Sequence, residues 1–292
     1  MKIVITGSLG NIGKPLTQKL VAAGHQVTVV SSNADRKAEI ENLGAQAAIG
    51  LVSNADFLAQ TFNGADAVFA MTPPNLGGSN IIANTVAAGK AYAAAFKQAG
   101  IKRIVMLSSI GGHLPAGNGP IAGIHQIEEL YKQLDGIAFT FLRAGYFYTN
   151  YYNDVPLIKY NNIIGANYPD NVQLLLVHPV DIATAAAEEL QRPATGSNIR
   201  YVVSDVVTPA QVAKVFGAAI GKPELPWVEF TDDQSLQGMV GAGVPEEIAA
   251  LYTEMGTGFR NGNIPEHFEQ SGSPVTGSIK LDDFAKEFAA KF

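Results

Sequence analysis

The sequence predicts an α/β protein whose core is a doubly wound parallel sheet with helices on both faces. The first observation is that short apolar runs, rich in β-branched residues, alternate with helical patterns over the first half of the chain. The second is that these runs are apolar almost throughout, as expected of strands buried on both faces. The six runs lie at 2–6, 26–32, 45–50, 66–72, 103–109 and 138–144.

Helices are predicted between these strands from the spacing of apolar residues. Residues 11–24 place Ile12, Leu16 and Leu20 on one face and end at Gly24, which favours a helix stop. Residues 80–100 are alanine-rich and also close on a glycine, and residues 124–134 repeat apolar residues at helical spacing. Helical connections of this kind are what neighbouring parallel strands require.

The order of elements is less regular after about residue 145. Helices are predicted over 179–191 and 208–221, strands over 197–205 and 226–230, and short helices separated by glycine and proline after 232. We expect a larger unit of residues 1–150 that also takes in about 176–205. A smaller α+β lobe of residues 151–292 would be interleaved with it.

Composition excludes several classes of protein. The 292 residues are 47% hydrophobic and 16% charged, which is typical of a globular chain. A net charge of -6 without a dense basic block argues against nucleic acid or a membrane surface as partner. There is no cysteine, no metal-ligand spacing, no secretion signal, and no apolar run near the roughly 20 residues of a membrane span. We therefore expect a cytoplasmic protein without a metal site.

The stretch TGSLGNIG, residues 6–13, predicts a dinucleotide-binding turn. Three glycines at spacing three, Gly7, Gly10 and Gly13, follow the first strand and open the first helix. A helix N-terminus has unpaired amides and a partial positive charge, and glycine lets a phosphate approach it. Gly7 would allow the turn, Gly10 would admit the pyrophosphate, and Gly13 would let helix and strand pack. The sheet is thus predicted to be of the Rossmann type, with residues 1–150 binding NAD(P) and the second lobe binding substrate.

The end of the second strand favours NADP(H), with NAD(H) the less favoured alternative. A carboxylate that binds the adenosine ribose hydroxyls is expected about 20 residues past the glycines in NAD-binding proteins. Here Ser31, Ser32 and Asn33 stand there and Arg36 follows, a set suited to a 2′-phosphate. Asp35 is read as the start of the next helix, and Arg36 could also belong to a solvated helix face.

The segments MKIVITGSLGNIGKPL, MTPPN, RIVMLSS and GIAFTFLRAGYFYTN, with HPVDIA after them, resemble the NmrA-like branch of the atypical short-chain dehydrogenase/reductases. The resemblance implies that Leu9, Asn11 and Ile12 contact the cofactor phosphates together with the three glycines. It further implies cofactor contacts along the rest of the sheet edge, from Met71, Thr72, Pro73, Ser108, Tyr146 and Phe147.

One departure from the wider superfamily bears on chemistry. None of the ten tyrosines has a lysine four residues later, so the usual Tyr-x-x-x-Lys acid-base pair is missing. Alcohol oxidation and sugar-nucleotide epimerisation are therefore disfavoured. Reduction of a quinone or dye remains open, because its product takes a proton from water or from one weak donor.

Several polar and aromatic residues are candidates for the chemistry, each with a structural alternative. His125, Tyr146 and Ser109 are the catalytic candidates, Ser109 as a hydrogen-bond donor. His113, Tyr148 and Asn150 are the substrate candidates, since a flat apolar molecule would stack on the aromatic segment. Asp181 is read as a helix cap and Arg143 as a structural ion pair.

The sequence thus predicts an NADPH-dependent reductase acting on a flat, electron-poor small molecule such as a quinone or dye. The alternative is a regulator that binds NADP(H) without catalysis and contacts a protein partner; a homodimer is also compatible with the sequence. The aromatic segment favours the enzyme, and the missing Tyr-x-x-x-Lys favours the regulator.

Overall fold

The computed structural model describes residues 1–73 and 79–292; Pro74 and Asn75 of the predicted loop after the fourth strand lie outside them. In chain order, the strands of this part of the chain are β1 (Lys2–Ile5), β2 (Gln26–Ser31), β3 (Gln46–Ile49), β4 (Ala67–Ala70), β5 (Arg103–Ser109), β6 (Ala138–Ala144), β7 (Tyr146–Phe147), β8 (Ile164–Ala166), β9 (Leu174–Val177), β10 (Ser197–Val202), β11 (Asp205–Val207) and β12 (Trp227–Glu229).

The helices, in the same order, are α1 (Gly13–Ala22), α2 (Arg36–Asn42), α3 (Ala55–Phe62), α4 (Ile81–Ala99), α5 (Ile121–Lys132), α6 (Val155–Asn161), α7 (Pro179–Gln191), α8 (Pro209–Ala219), α9 (Asp232–Gly241), α10 (Glu246–Arg260), α11 (Glu266–Gln270) and α12 (Leu281–Ala289). A 3₁₀ helix covers Tyr148–Asp154. Among the described residues, no helix is both long enough and apolar enough to cross a membrane.

A seven-stranded sheet of order β10-β6-β5-β4-β1-β2-β3 forms the centre of the molecule, and its pairings are all parallel. The chain reverses direction across the sheet between β1 and β4, because β3 lies at one edge and β4 returns beside β1. Ligands of open α/β sheets bind at such a switch point, outside the carboxyl ends of the strands. The predicted doubly wound α/β fold is confirmed.

Each face of the sheet is covered by helices. Helices α1 and α7 pack on one face, where Leu16, Leu20 and Ile182 are fully buried. Helices α3, α4 and α5 cover the other, where a ladder of rings includes Phe96 stacked on Phe62. Strands buried between two helical layers read as continuous apolar runs, and this is why the periodicity of the first half was informative.

The second half adds a separate core that shares elements with the central sheet. Two small sheets, β11-β9-β7 and β12-β8, combine with α8 and α12 around stacked rings such as Phe216 and Phe288. Tyr201 of β10 and Ile110 after β5 pack into this same core. The predicted boundary near residue 150 stays a prediction, since the two cores interlock.

Predicted and observed elements differ in several places. β5, β6 and α7 have the predicted bounds, whereas α5 starts at Ile121 and ends at Lys132 rather than spanning 124–134. Helix α10 has 15 residues, so the expectation of short helices after 232 was wrong there. The capping role predicted for Asp181 was also wrong. His178 caps α7 through Nδ1, and Asp181 accepts hydrogen bonds from Ser204 and the 278–279 segment.

The Glu128–Arg143 pair joins α5 to the central sheet. Both side chains are buried, and Arg143 donates through Nε and a terminal nitrogen to the two carboxylate oxygens at 3.1 and 2.6 Å. The structural ion pair predicted for Arg143 is confirmed. The same carboxylate accepts a hydrogen bond from Ser108 Oγ at 2.5 Å.

We expect Glu128→Ala to lower the free energy of unfolding by about 3–5 kcal/mol, because it leaves the Arg143 guanidinium buried without a counter-charge. The matched control is Glu129→Ala, which removes an exposed ion pair with Lys132 and should cost less than about 1 kcal/mol. Urea unfolding followed by circular dichroism gives both values. Equal losses in the two variants would contradict the structural importance assigned to the buried pair.

Candidate active site

The glycine turn after β1 holds an unusual backbone conformation. Gly7 has φ of +98° and Ser8 has φ of +56°. A Cβ on Gly7 would lie 2.0 Å from the terminal carbon of Met71, so this glycine is needed both for its conformation and for the methionine packed on it. The turn is fastened to β2, since the Ser8 amide donates to the Val30 carbonyl at 3.0 Å.

Gly10 and Gly13 serve different purposes. A Cβ on Gly13 would lie 2.0 Å from the carbonyl oxygen of Ser8, whereas one on Gly10 would meet only the Gly7 carbonyl at 3.5 Å. Gly13 therefore allows the backbone of the turn to pack closely against itself. The sequence predicted that this glycine would let helix and strand pack together, whereas its close contact lies within the turn. Gly10 is exposed, and the space above it is open.

The start of α1 offers free amides beside this open space. Within the described residues, no acceptor takes a hydrogen bond from the amides of Asn11, Ile12 or Gly13. Leu9 and Ile12 are 7% and 3% exposed, so they anchor the loop in the core and face outward only with their backbone. Unpaired amides at a helix start, next to an open glycine, suit a phosphate group. We call residues 7–13 the glycine cradle.

At the end of β2 the predicted adenosine-binding residues divide into two groups. Ser31 is 2% exposed, and its hydroxyl already bonds to Ser8 Oγ at 2.9 Å and to the Asn33 backbone. The contact predicted between Ser31 and a 2′-phosphate is not supported, because this hydroxyl is used within the turn. Ser32, Asn33 and Arg36 are exposed beside it.

Arg36 and Lys14 both bind one carboxylate. Glu39 accepts from Arg36 at 2.5 Å and from Lys14 of α1 at 3.0 Å, and these two bonds lower its pKa. All three side chains are substantially exposed, so the cluster can rearrange. It places two cations within reach of the turn between β2 and α2, next to the glycine cradle.

Beyond the cradle, the carboxyl end of β4 supplies Met71, Thr72 and Pro73. Met71 packs on Gly7, and its backbone is held by the Thr6 hydroxyl and by Tyr92. Thr72 is half-buried and Pro73 is exposed at the same edge of the sheet. The position of these residues is compatible with the predicted cofactor path.

The two serines that end β5 are already engaged. Ser108 is 5% exposed and donates to Glu128, so its oxygen is left to act as an acceptor. Ser109 Oγ donates to the Ile110 carbonyl at 2.9 Å. The donor role of Ser109 stays a prediction, since a ligand would have to compete with this carbonyl for the hydroxyl proton.

The two predicted histidines lie on either side of the loop after β5. His125 of α5 is half-buried and binds the Gly112 carbonyl through Nδ1 at 3.0 Å, so Nδ1 carries the proton. His113 packs against His267 with ring centres 5.3 Å apart, and neither ring nitrogen has a partner in the described chain or reaches solvent. Burial lowers the pKa of His113. Direct substrate contact through its nitrogens is therefore not supported, whereas His125 remains a prediction.

The aromatic segment after β6 begins next to the serines, because Ala144 pairs with Ser109 and precedes Tyr146 by two residues. Tyr146 and Phe147 are half-buried and pair with β9. Tyr148 is fully buried, stacks on Phe284 and donates to Asp205 at 2.9 Å. The substrate role predicted for Tyr148 is not supported, because its ring has no free face. Asn150 is half-buried near the Tyr146 hydroxyl.

Four tyrosines lie near this point, and three of them pack into the second core. We call Tyr146, Tyr151, Tyr168 and Tyr252 the tyrosine cluster. The rings of Tyr146 and Tyr151 meet edge to face at 5.6 Å, and burial together with the charge of Asp154 raises the pKa of Tyr146. The phenol groups of Tyr168 and Tyr252 raise the pKa of Tyr146 further. Because the four tyrosines come from distant positions in the sequence, the grouping could not be predicted. The stretch YTNYYND, residues 148–154, was the one local sign of an aromatic site.

Two other recesses, of about 300 and 290 Å³, lie elsewhere on the surface, beside His267 and beside Trp227. Neither is lined by a predicted site residue. Among the described residues, no group of three or more histidine, aspartate and glutamate side chains could hold a metal ion.

A parallel sheet with a glycine-rich turn at its switch point is the arrangement typical of dinucleotide-binding α/β proteins. The model of the NmrA-like family matches residues 1–278, and the chain belongs to this family. An NAD(P)H azoreductase of Xenophilus azovorans is 28% identical over 99% of both chains. In structure, the chain resembles an NADPH-dependent quinone oxidoreductase of Escherichia coli, complexed with NADPH, with a TM-score of 0.80 and 17% identity over 98% of this chain and 99% of that one.

A triphenylmethane reductase of Citrobacter sp. complexed with NADP(H) has a TM-score of 0.76 and 20% identity, over 99% of this chain and all of that chain. At identities of 17 and 20% the two structural likenesses concern the fold. They agree with the seven-stranded parallel sheet described above.

The different surroundings of the cradle glycines give a prediction. Gly13→Ala should lower the free energy of unfolding by about 1–3 kcal/mol, because its Cβ would collide with the Ser8 carbonyl and force the turn to shift. Gly10→Ala should change stability by less than about 0.5 kcal/mol, as is usual for an open surface position. Urea unfolding of both variants tests this. The geometry would be contradicted if the two substitutions cost the same.

Proposed function

We propose that this protein binds NADP(H) along the carboxyl edge of the sheet and reduces a flat, electron-poor small molecule such as a quinone or an azo dye. The observation that carries the proposal is that one edge of one sheet bears both the glycine cradle and, further along, the tyrosine cluster. The 28% identity with an NAD(P)H azoreductase over nearly the whole chain supports the same conclusion.

The cradle fits a dinucleotide phosphate in three respects. The space above Gly10 is open, and the amides of Asn11 to Gly13 are free within the described chain. These amides form the N-terminal end of α1, where the helix dipole favours an anion. Arg36 and Lys14, with Ser32 and Asn33 nearby, supply cations and polar groups for a 2′-phosphate. NADP(H) is therefore favoured over NAD(H).

The chemistry follows from what the chain supplies and what it lacks. When bound, the reduced cofactor supplies a hydride. The half-buried rings of Tyr146 and Phe147 offer apolar surface to a flat substrate, and Asn150 lies near the Tyr146 hydroxyl to orient a polar edge. The chain holds its substrate beside the end of β5 and excludes water there, and it has no Tyr-x-x-x-Lys pair for alcohol oxidation.

A regulator that binds NADP(H) and contacts a protein partner is the second candidate. It is favoured by Ser109 Oγ and His125 Nδ1, each of which donates to a backbone carbonyl rather than to a substrate. A homodimer stays a prediction. For either function we also propose the cytoplasm as the location.

NADPH titration followed by substrate addition tests the function. Wild-type protein should enhance NADPH fluorescence and then oxidise NADPH in the presence of methyl red or menadione faster than the protein-free mixture does. Gly10→Val should lose both signals while unfolding at the same urea concentration, because its side chain fills the space for the phosphates. Binding without oxidation of NADPH by any quinone or azo dye would favour the regulator. Unchanged binding by Gly10→Val would refute the cradle assignment.

Glu39 should set the strength of the preference for NADPH. Glu39→Gln releases Arg36 and Lys14 and removes a negative charge, so NADPH should bind about two- to fivefold more tightly while NADH binding changes little. Arg36→Gln should weaken NADPH binding by a similar factor. Dissociation constants for both cofactors at low salt test this, because screening weakens exposed charge contacts. Equal changes for NADPH and NADH would show that these side chains do not meet a 2′-phosphate.

A further inference from the structure

Helix α10 bridges the loops that follow β4 and β5. Near its start, the Glu247 carboxylate accepts hydrogen bonds from the amides of Asn80 and Ile81, where α4 begins, at 2.7 and 2.8 Å. About two turns further along, Glu254 accepts from the amide of Gly117, in the loop after β5, at 2.7 Å. Since β4 and β5 are neighbours in the parallel sheet, α10 joins two loops that leave the sheet at its carboxyl edge.

These contacts come from one face of α10. The face runs from Glu247 to Gly258 in steps of four, three and four residues, which is the spacing of a single stripe along a helix. A Cβ on Gly119 would lie 2.1 Å from the Leu251 carbonyl oxygen, and one on Gly258 would lie 2.7 Å from the carbonyl oxygen of Gly117. The helix therefore rests directly on the backbone of the loop after β5, with little room for side chains between them.

The base of the α9–α10 pair is fastened to the second lobe. Arg260, the last residue of α10, donates to both carboxylate oxygens of Asp232, the first residue of α9, at 2.9 and 3.1 Å. Asn167 is buried after β8, where it donates to Asp232 at 2.8 Å and its carbonyl accepts from Arg260 at 2.8 Å. Arg260 and Asn167 lower the pKa of the Asp232 carboxyl to about 2, so this ion pair persists at neutral pH.

The opposite end of the pair, near the turn between the two helices, is held less firmly. Glu247 and Glu254 are exposed, and among the described residues α9 buries no side chain. Ile248 and Ala249 near the start of α10 are buried but belong to none of the three hydrophobic cores, whereas Phe259 near its end packs into the core of the second half. Regions with few core contacts and exposed hydrogen bonds open at a low cost in free energy.

The bridged loops lie on the proposed path of the cofactor. Met71 and Thr72 follow β4, and Ser108 and Ser109 end β5, so a dinucleotide that extends from the glycine cradle along this edge passes both loops. A helix that joins the loops closes this part of the edge on the side of the second lobe. Entry and release of the cofactor then require that α10 move away.

We infer that α9 and α10 form a lid over the β4–β5 part of the proposed cofactor site, and that Glu247 and Glu254 are positioning residues that hold this lid closed. The inference rests on the proposed function and deepens it, since it states how the cofactor enters and leaves. Opening breaks the three hydrogen bonds of the two carboxylates and turns the pair about its base at Asp232 and Arg260. Closure excludes water from the site of hydride transfer.

The first test measures how fast NADPH leaves the full-length protein, by stopped-flow fluorescence after mixing with excess NADP⁺. Glu247→Ala and Glu254→Ala should each raise the dissociation rate about three- to tenfold, because each removes charge-assisted hydrogen bonds that hold the lid. Glu246→Ala is the matched control, since it removes an exposed carboxylate from the same turn of α10 and should leave the rate unchanged. Urea unfolding of all three variants separates an effect on the lid from a general loss of stability.

Hydrogen exchange of the cofactor-free protein gives a second readout that does not depend on activity. Glu247→Ala should speed exchange of the amides at residues 80–81, and Glu254→Ala should speed that of Gly117, because these amides lose their acceptors. Glu246→Ala should exchange as wild type does at all three positions.

A third measurement locks the lid, which a chain without cysteine permits. The double variant Asn80→Cys/Glu247→Cys is joined by a short bis-methanethiosulfonate reagent, whose bridge a reductant removes. The bridged protein should bind NADPH roughly tenfold more slowly than the reduced protein, because the lid can no longer open. Addition of reductant should restore the association rate.

The outcomes separate the inference from the proposed function. A wild type that binds NADPH and reduces a dye, with the same dissociation rate in Glu247→Ala, Glu254→Ala and Glu246→Ala, would overturn the lid and leave the reductase in place. Equal association rates for the bridged and the reduced double variant would overturn the lid on their own. A wild type that does not bind NADPH would overturn the proposed function and the inference with it.

Discussion

The buried pair of Glu128 and Arg143 is the interaction on which the site depends. A charge without its counter-charge is costly in a protein interior, so this pair fixes α5 on the sheet in one position. The Glu128 carboxylate also holds Ser108 at the end of β5, and Arg143 reaches Tyr201 of β10 at 3.4 Å. A Cβ on Gly112 would lie 3.1 Å from that carboxylate and 2.9 Å from the Ser109 carbonyl, so the loop after β5 closes over the pair only as glycine. His125 then binds this loop, and the edge of the sheet next to the proposed substrate is set.

The glycine cradle solves a different problem, namely how to present backbone to an anion without leaving the loop unanchored. Leu9 and Ile12 are buried in the core between β1 and α1, and Ser8 is bonded to β2. The loop is therefore anchored, although much of its outer surface is backbone and glycine. Gly7 and Gly13 are required by their own surroundings, through Met71 and the Ser8 carbonyl. Gly10 differs from the other two, because a side chain at this position would enter the open space in which the phosphate is proposed to bind. Within one short motif, Gly7 and Gly13 therefore serve folding and Gly10 serves the proposed binding.

The fold and the cradle could be predicted because their rules are local. A strand buried on both faces, a helix period of 3.6 and a glycine at a turn each leave a pattern within about 20 residues of sequence. The predictions that failed concern side chains whose partners are remote. Ser31 bonds to Ser8 across two strands, and Tyr148 bonds to Asp205, 57 positions away.

The cofactor end of the proposed site comes from one contiguous stretch of sequence, whereas the substrate end combines residues from distant positions. The cofactor end is built from backbone amides and glycines of one contiguous stretch, and its chemistry is the same for any dinucleotide phosphate. The proposed substrate end uses tyrosine side chains that follow β6 and β8, such as Tyr146 and Tyr168, and these pack on a different core. A change in Tyr168 would alter the proposed site without touching the central sheet, because this side chain does not belong to the layers that cover the sheet. In the proposed site, substrate choice would thereby be separated from fold stability and from cofactor binding.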